Sequence, residues 1–284
     1  MDVDVLPGSG FGAEVTGIDF SGPLDNDTRA ALNQALAENY ILRFADQELE
    51  PGHVVDASRV FGPVERHVVP GYYHPDTDLL LVLSNQVGDD GRPLGVKDAG
   101  TFWHADVSYR ELPAKATLLY AVEIPAEGGD TLFCDMVAAL EALPDSLRDK
   151  LEGRNAVHNY AQRDRIAAAQ GTTQVVDEGS RKATPPVRHP AVRTHPVTGR
   201  QSLYVNPAYT TKIVGLKADD SADVLAHVYD HCMEDRFQLR YKWHKGDVAI
   251  WENISVMHTA TTQDLPPDHH RTLWRTIISG EATG

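Results

Sequence analysis

The sequence predicts an α+β fold in which a mostly antiparallel sandwich or jelly roll is flanked by helices. Two observations predict it. Runs rich in β-branched and aromatic residues recur along the chain between turn residues, which is typical of strands. Helical spacing of apolar residues is confined to a few segments set between those runs. With 284 residues, 42% of them hydrophobic, the chain is long enough to bury a sizeable core.

The N-terminal part of the chain is predicted to combine two helices with one short strand. Asp25 or Asn26 can cap a helix whose alanines and leucines recur at helical spacing. That helix gives way to YILRF (40–44), which is typical of a short buried strand. A second helix is predicted within 50–62, where Pro51 falls near the first turn.

Strand signals dominate from residue 78 onward, with helical stretches at 136–153 and 221–236. The predicted strands lie within 78–85, 116–125, 128–136, 200–215, 246–258 and 271–280. Two polar, glycine-containing connections, 86–100 and 161–186, are expected to be lid loops. Connections longer than about 12–15 residues are usually functional or disordered.

Composition and charge exclude several classes of protein. A formal net charge of −15 argues against binding to nucleic acid or to an anionic membrane, because both need a basic footprint. No run of 18 apolar residues is present, so no transmembrane helix is expected. The N-terminus lacks a secretory signal, and Cys134 and Cys232 provide no disulfide framework. A cytoplasmic location is therefore expected.

The stretch TFWHADVSY (101–109) contains a candidate metal-binding pair. If the stretch is a strand, His104 and Asp106 lie on one face, because side chains two apart share a face. The pair alone is no commoner than chance. His258, after the strand-like VAIWENISVM, could supply a third ligand at a barrel rim. Two histidines and one carboxylate form the facial triad that holds Fe(II) with open coordination positions.

A second cluster of charge supports an iron site that also binds a 2-oxo acid. The distal carboxylate of 2-oxoglutarate needs a fixed cation, and arginine pairs with carboxylates through two parallel hydrogen bonds. RTLWRTIISG supplies Arg271 and Arg275, which are four residues apart and face the same side of an extended strand. The alternative interpretation is an edge strand with solvated charges.

The chain resembles, nearly from end to end, the taurine dioxygenase/aryloxyacetate dioxygenase family of Fe(II)- and 2-oxoglutarate-dependent oxygenases. The resemblance rests on ordered segments: GFGAEVTGIDFSGPLD, FGPVERH, WHADVSY, IPAEGGDTLFCDM, HPAVRTHPVTGRQSLYVN, GDVAIWENISVMH and HRTLWRTIISG. It implies one domain over 1–284, with a double-stranded β-helix (jelly-roll) core, flanking helices and lid loops near 86–100 and 161–186. The chain departs from the taurine enzyme at Gly100, where that enzyme has asparagine. This difference argues against taurine as the substrate.

The resemblance implies roles for individual residues. The implied iron ligands are His104, Asp106 and His258; the implied 2-oxoglutarate ligands are Arg271, for the distal carboxylate, and Thr131; the implied substrate-binding residues are His67, Val107, Tyr109 and Arg275. Arg275 would hold an anionic group of the substrate. Related enzymes often form dimers or tetramers, so a homo-oligomer is expected.

The implied activity is hydroxylation of a small anionic substrate at the expense of 2-oxoglutarate and O2, with release of succinate and CO2. The substrate would be a sulfonate, sulfate ester, carboxylate or phosphonate. Two alternatives remain open from the residues. The same triad could hold Zn²⁺ in a hydrolase, which would want a general base beside the metal. A non-catalytic jelly-roll protein that binds a small anion would need no metal triad.

Overall fold

Strands and helices alternate along the computed structural model, which describes residues 1–8, 10–66, 71–97, 99–169 and 178–280. The strands are β1 (Asp2–Val5), β2 (Ala13–Thr16), β3 (Ile41–Phe44), β4 (Val64–Glu65), β5 (Tyr73–His74), β6 (Thr77–Ser84), β7 (Ala116–Glu123), β8 (Thr131–Asp135), β9 (Asn155–His158), β10 (Val187–Pro190), β11 (Val192–Thr194), β12 (Gln201–Leu203), β13 (Thr210–Ile213), β14 (Gln238–Tyr241), β15 (Val248–Glu252), β16 (Val256–Ala260) and β17 (Thr272–Ile278). The helices are α1 (Asn26–Asn39), α2 (Pro51–Arg59), α3 (Met136–Glu141), α4 (Asp145–Leu151), α5 (Gln162–Ala169), α6 (Glu178–Ala183) and α7 (Ala218–Cys232), with a 3₁₀ turn at Asp235–Phe237.

A large sheet with strand order β1-β2-β3-β15-β7-β17-β6-β5 forms the centre of the fold, and β4 also pairs with β17. Its pairs are antiparallel except for β2 with β3. Neighbouring residues of a strand point to opposite faces. Leu118 accordingly packs in the cluster that contains Leu36 of α1, whereas Leu119 belongs to the cluster on the other face. Both faces of the sheet are therefore buried.

A second sheet, β14-β8-β16, covers the face that the helices leave open. Phe133 and Val256 of this sheet share a buried cluster with Leu119, Trp251 and Leu273 of the large sheet. Two sheets thus pack face to face, with α1 and α2 outside the larger one. The prediction of a mixed α and β chain built on mostly antiparallel sheets is confirmed at this level.

The predicted helix starts are largely confirmed, with one correction. Asp25 caps α1, its carboxylate accepting from the amide of Thr28 at 2.7 Å, and Pro51 begins α2. The helical stretch predicted over 136–153 is present but interrupted, because the structure divides it into α3 and α4. Pro144 stands between them; proline has no amide hydrogen and disfavours helix in the residue before it.

Two further predictions need correction. The stretch 246–258 is not one strand: β15 belongs to the large sheet and β16 to the smaller one, so the chain crosses between sheets at 253–255. His258 consequently lies inside β16 and not at a strand end. The connection 161–186 contains helices α5 and α6, while its residues 170–177 lie outside the described part of the chain. Among the described residues, no helix combines the length and apolarity needed to cross a membrane.

Candidate active site

The stretch that carries the first two candidate ligands is a turn, which corrects the strand prediction. His104 forms an isolated antiparallel bridge with His258, with backbone N to O distances of 3.0 and 2.8 Å. Turn conformation begins at Asp106, and Val107 has a φ of 58°, in the left-handed region. The argument that residues two apart share a strand face therefore does not apply. The bridge and the turn nevertheless bring the three predicted ligands together.

His104, Asp106 and His258 form a buried cluster whose candidate ligand atoms all lie within 4.8 Å of one another. His104 Nε2 is 3.4 Å from Asp106 Oδ1, and His258 Nε2 is 3.6 Å from Asp106 Oδ2. The other ring nitrogen of His104, Nδ1, lies 2.8 Å from the carbonyl oxygen of Phe102. Such a bond leaves Nε2 with a free lone pair for a metal. The three side chains thus fit a facial metal site with two histidines and a carboxylate.

The charge state of the cluster also suits metal binding. Burial raises the pKa of the Asp106 carboxyl, but the charge of Arg275, with the interactions of His258 and His104, outweighs this effect and holds that pKa well below its usual range. Burial, reinforced by the neighbouring His104, lowers the pKa of His258 well below its usual range. Asp106 is consequently a carboxylate and His258 a neutral imidazole, the forms that bind metal.

Three side chains hold Asp106. Two of them, Thr117 and Asn253, were not indicated by the sequence, and the third, Arg275, was predicted to bind the substrate. Thr117 Oγ1 donates to Asp106 Oδ2 at 2.7 Å, and Arg275 donates to Oδ1 at 2.8 Å. The backbone amide of Asp106 donates to Asn253 Oδ1 at 3.0 Å. Thr117 and Asn253 were missed because they lie 11 and 147 residues from Asp106, and no sequence signal marks such partners.

His258 is held by different means. It lies in β16 opposite Phe133 of β8, and its ring is 4.7 Å from that of Trp251 and 5.9 Å from that of Phe133. Its Nδ1 is buried and has no hydrogen-bond partner among the described residues. Regular strand pairing and aromatic packing therefore position this ligand.

Arg271 lies at the other end of the site and carries a buried charge. Its side chain Nε donates to the carbonyl oxygen of Gly129 at 2.8 Å. Burial lowers its pKa to about 10, and Asp130, whose charge opposes this shift, is paired with Arg240 at 2.9 Å. Within the described ranges, Arg271 has no carboxylate within ion-pair distance. Arginine stays protonated near neutral pH, so this buried cation lacks a counter-ion.

One cavity joins the three candidate ligands to both arginines. It holds about 390 Å³ of space between its atoms, including the part open to solvent. Its lining comprises Leu83, Ala99, Gly100, His104, Asp106, Leu119, Thr131, Trp251, His258, Ala260, Arg271 and Arg275. We call the part around His104, Asp106, His258 and Arg275 the metal end, and the part around Arg271 and Thr131 the far end.

Glycines let the backbone approach a functional side chain at both ends. Gly100 has a φ of 72°, and a Cβ there would lie 2.7 Å from Cε1 of His104. Gly129 has a φ of 71°, and a Cβ there would lie 2.8 Å from Cδ of Arg271. Left-handed φ and close contact each favour glycine.

Of the remaining predicted residues that the structure describes, Val107 and Tyr109 do not line this cavity. Val107 and Tyr109 belong to a neighbouring buried cluster with Tyr160 and Tyr209, whose rings lie 4.6 and 4.8 Å from that of Tyr109. Burial raises the pKa of the Tyr109 hydroxyl well above its usual value, so the phenol stays neutral. His67 lies outside the described residues.

The fold and this site together define a class, the non-haem oxygenases with a two-histidine, one-carboxylate site, and comparison with known proteins identifies the family. Residues 3–277 match the model of the taurine catabolism dioxygenase TauD, TfdA family. The chain is 33% identical over 264 residues to an alpha-ketoglutarate-dependent 2,4-dichlorophenoxyacetate dioxygenase of Cupriavidus pinatubonensis, covering 90% of each protein. It is 32% identical to an alpha-ketoglutarate-dependent sulfonate dioxygenase of Saccharomyces cerevisiae, covering 91% of this chain and 62% of that one.

Solved structures agree with this assignment. AAD-2 in complex with Mn(II) and N-oxalylglycine superimposes with a TM-score of 0.84 at 28% identity, and all of both chains is covered. A putative alpha-ketoglutarate-dependent taurine dioxygenase from Burkholderia xenovorans gives a TM-score of 0.80 at 29% identity, covering 99% of this chain and 93% of that one. The chain belongs to the TauD, TfdA family. The sequence prediction of an oxidoreductase that uses Fe(II) and 2-oxoglutarate is confirmed.

Proposed function

We propose that this enzyme hydroxylates a small anionic substrate, and that His104, Asp106 and His258 hold its Fe(II). Nε2 of each histidine and the carboxylate of Asp106 are close enough together to share one ion. The iron, with 2-oxoglutarate and O2, supplies an oxidation that inserts oxygen into a C–H bond and releases succinate and CO2. The protein contributes fixed ligands, a counter-charge and shielding from water.

Arg271 is the proposed partner of the distal carboxylate of 2-oxoglutarate, and its lack of a counter-ion within the described part of the chain is the observation that carries the proposal. A buried guanidinium without an acidic partner is costly, and a bound carboxylate relieves that cost through paired hydrogen bonds. Thr131 lines the same end of the cavity, and its Oγ1 accepts from the indole of Trp243 at 3.0 Å. The hydroxyl hydrogen of Thr131 is thereby left to donate to the carboxylate.

Arg275 is the proposed anchor of the anionic group of the substrate. Its side chain is 12% exposed and lines the metal end, and one of its amino groups donates a hydrogen bond to Asp106. Its Nε has no hydrogen-bond partner in the described part of the chain, so an anion beside it would satisfy that donor. His67, Val107 and Tyr109 stay proposals as substrate-side residues.

The proposed substrates are sulfonates, sulfate esters, carboxylates and phosphonates. Relatives named for acting on anions support this range: a sulfonate dioxygenase, a 2,4-dichlorophenoxyacetate dioxygenase, and an alkylsulfatase of Acinetobacter baylyi that is 30% identical over 283 residues. The charge of Arg275 suits any of these head groups.

The zinc hydrolase alternative is less well supported. It needs a general base beside the metal, within hydrogen-bond reach of a water molecule. The titratable groups that line the cavity, among the residues described, are the three candidate ligands and the two arginines. Arginine is a poor base, and a buried Arg271 without an acidic partner among the described residues favours a 2-oxo acid cosubstrate over a simple hydrolase.

Architecture and assembly complete the proposal. We assign the facing sheets around the cavity to a double-stranded β-helix, or jelly roll, within one domain over 1–284. The segments 86–100 and 161–186 are proposed lids; Ala99 and Gly100 of the first already line the cavity. A homo-oligomer located in the cytoplasm is the expected state, and light scattering of the purified protein would test its oligomeric state.

The experiment is anaerobic addition of Fe(II) and 2-oxoglutarate, followed by a panel of small anions scored by succinate formation. We expect a weak visible charge-transfer band from the chelate in the wild type and none in Asp106→Ala. Succinate should rise well above its basal rate with at least one anion. Absence of the band, or no change in Asp106→Ala, would refute the oxygenase site. Turnover with neutral or cationic compounds alone would refute the anion assignment.

A further inference from the structure

Asp106 stands on backbone that no sheet supports. It follows the isolated bridge at His104 and begins a turn that continues through Val107 in left-handed conformation. Its amide donates to the side chain of Asn253 at 3.0 Å, in place of a ladder bond. A β-branched residue with positive φ is strained, so this turn needs support from its surroundings.

The same asparagine also determines the direction of a second hydrogen bond. The amide hydrogen of Asp106 must be donated, so the atom of Asn253 that faces it is the oxygen, and Nδ2 faces Thr117 at 3.1 Å. Nδ2 can only donate, so Thr117 Oγ1 accepts from it. The hydroxyl hydrogen of Thr117 is then committed to Asp106 Oδ2, 2.7 Å away. A closed ring of three hydrogen bonds results.

Asn253 is itself well anchored. It is 1% exposed, and its backbone amide donates to the carbonyl oxygen of Lys115 at 2.9 Å. On one side, Glu252 is paired with buried His195 at 2.7 Å. On the other, the carbonyl oxygen of Ile254 accepts from Ser202 at 2.6 Å. The crossing between the two sheets is therefore a rigid platform for the amide group.

We propose that Asn253 is a positioning residue that fixes both the backbone and the carboxylate of Asp106, the latter through Thr117, and so sets the affinity of the metal site. The inference rests on the proposed role of Asp106 as an iron ligand. It assigns Asn253 no contact with metal or substrate. Thr117 acts as the relay, since the hydrogen bond that its oxygen accepts from Asn253 orients the hydroxyl so that its hydrogen points to Asp106.

The test measures Mn(II) binding to metal-free protein by calorimetry in Thr117→Val, Thr117→Ser, Asn253→Ala and the double variant Thr117→Val/Asn253→Ala. Loss of a hydrogen bond to a metal ligand typically weakens binding by about 10–100-fold. We expect Mn(II) affinity to fall by about tenfold in Thr117→Val and by at least about tenfold in Asn253→Ala. Thr117→Ser keeps the hydroxyl, so its affinity should stay near that of the wild type. The double variant should bind about as weakly as Asn253→Ala, because both act on one carboxylate.

Amide hydrogen exchange of residues 105–108 separates the two hydrogen bonds of Asn253. Exchange should quicken in Asn253→Ala, which loses the acceptor for the Asp106 amide, and stay near wild type in Thr117→Val. The matched control is Ser255→Ala in the same crossing, whose hydroxyl is 3.5 Å from Glu252 and contacts no candidate ligand. Mn(II) affinity should not change in this control.

Two outcomes overturn the inference. One is a lower melting temperature in Asn253→Ala with unchanged Mn(II) affinity, which would make Asn253 merely structural. The other is a double variant whose Mn(II) affinity falls by the product of the two single-variant factors, because the two residues would then act independently. If Asn253→Ala does not fold, the contrast between Thr117→Val and Thr117→Ser still decides the role of the relay. Failure of the proposed function looks different: Asp106→Ala would then bind Mn(II) as tightly as wild type.

Discussion

The two ends of the cavity each hold an arginine, but the two guanidiniums differ in their electrostatic surroundings. Arg275, at the metal end, donates to Asp106 at 2.8 Å through one amino group, while its Nε has no partner among the described residues. Arg271, at the far end, donates to a neutral carbonyl oxygen and has no ion pair with any described residue. The comparison teaches that a cation paired within the protein can support a site and still hold a further anion, whereas an unpaired buried cation calls for a ligand of its own.

The largest effect should follow from breaking the metal end. Asp106→Ala removes a proposed metal ligand and also leaves the largely buried Arg275 without its counter-charge, and loss of one partner of a buried pair costs about 3–5 kcal/mol. We expect Mn(II) affinity to fall by more than about 100-fold, because loss of a ligand exceeds the loss of its supporting hydrogen bonds. Calorimetry and urea unfolding measure the two effects. Wild-type metal affinity in this variant would contradict the comparison.

The next effect should be confined to the far end. Arg271→Lys keeps the charge but loses the planar fork that pairs with a carboxylate. Loss of such a buried pair costs at least about 2 kcal/mol, so the KM for 2-oxoglutarate should rise by at least about 30-fold. Mn(II) affinity should not change. Arg240→Lys, an exposed substitution beside Asp130, is the control. An unchanged KM in Arg271→Lys would show that Arg271 does not bind the cosubstrate.

A matched pair of glycine variants sharpens the comparison. Gly100→Ala should displace His104 and weaken Mn(II) binding by about tenfold, whereas Gly129→Ala should displace Arg271 and raise the KM for 2-oxoglutarate by about as much, since misplacement by about 1 Å is costly. Gly199, with a φ of 70° and open space around it, is the control for backbone strain alone. If Gly199→Ala reproduces either defect, the contacts with His104 and Arg271 are not responsible.

The last effect appears only in acid and concerns stability beside the metal end. His158 is buried 3.2 Å from the hydroxyl of Ser108, and burial, with the charges of His189 and Arg193, lowers its pKa to about 3. The unfolded chain binds this proton near pH 6.5, so the stabilisation is complete above that pH and is lost as pH falls toward 3, by about 1.4 kcal/mol per unit. His158→Gln should reduce the slope of the free energy of unfolding against pH in the acid range. The control His227→Gln, at an exposed position, should leave that slope unchanged. Equal slopes in both variants would exclude His158 as the cause.

Much of the site could be predicted from the sequence because chemistry restricts the residue types. Two histidines and one carboxylate, with arginines downstream, indicate an iron and 2-oxo acid site, and the structure brings His104, Asp106, His258 and both arginines to one cavity. The capped starts of α1 and α2 were also predictable, because Asp25 and Pro51 act locally.

The rest could not be predicted because long-range contacts decide it. The apolar run through WENISVMH is typical of one strand, yet Asn253 bonds Lys115 and the chain leaves one sheet for the other. Val107 favours extended backbone, but its φ is 58° in the turn that holds Asp106. Thr117 looks like any residue of a buried strand, and only the fold places its hydroxyl on the carboxylate.

The ring of hydrogen bonds around Asp106 has a consequence for changing the substrate range by laboratory evolution. Asn253 and Thr117 each serve two partners at once, so a single exchange at either position strands a buried donor or acceptor. The tyrosines beside Tyr109 meet one another mainly through ring faces and edges, where size and shape can vary one position at a time. Mutant libraries should therefore leave Asn253, Thr117 and Asp106 unchanged and diversify the tyrosine cluster.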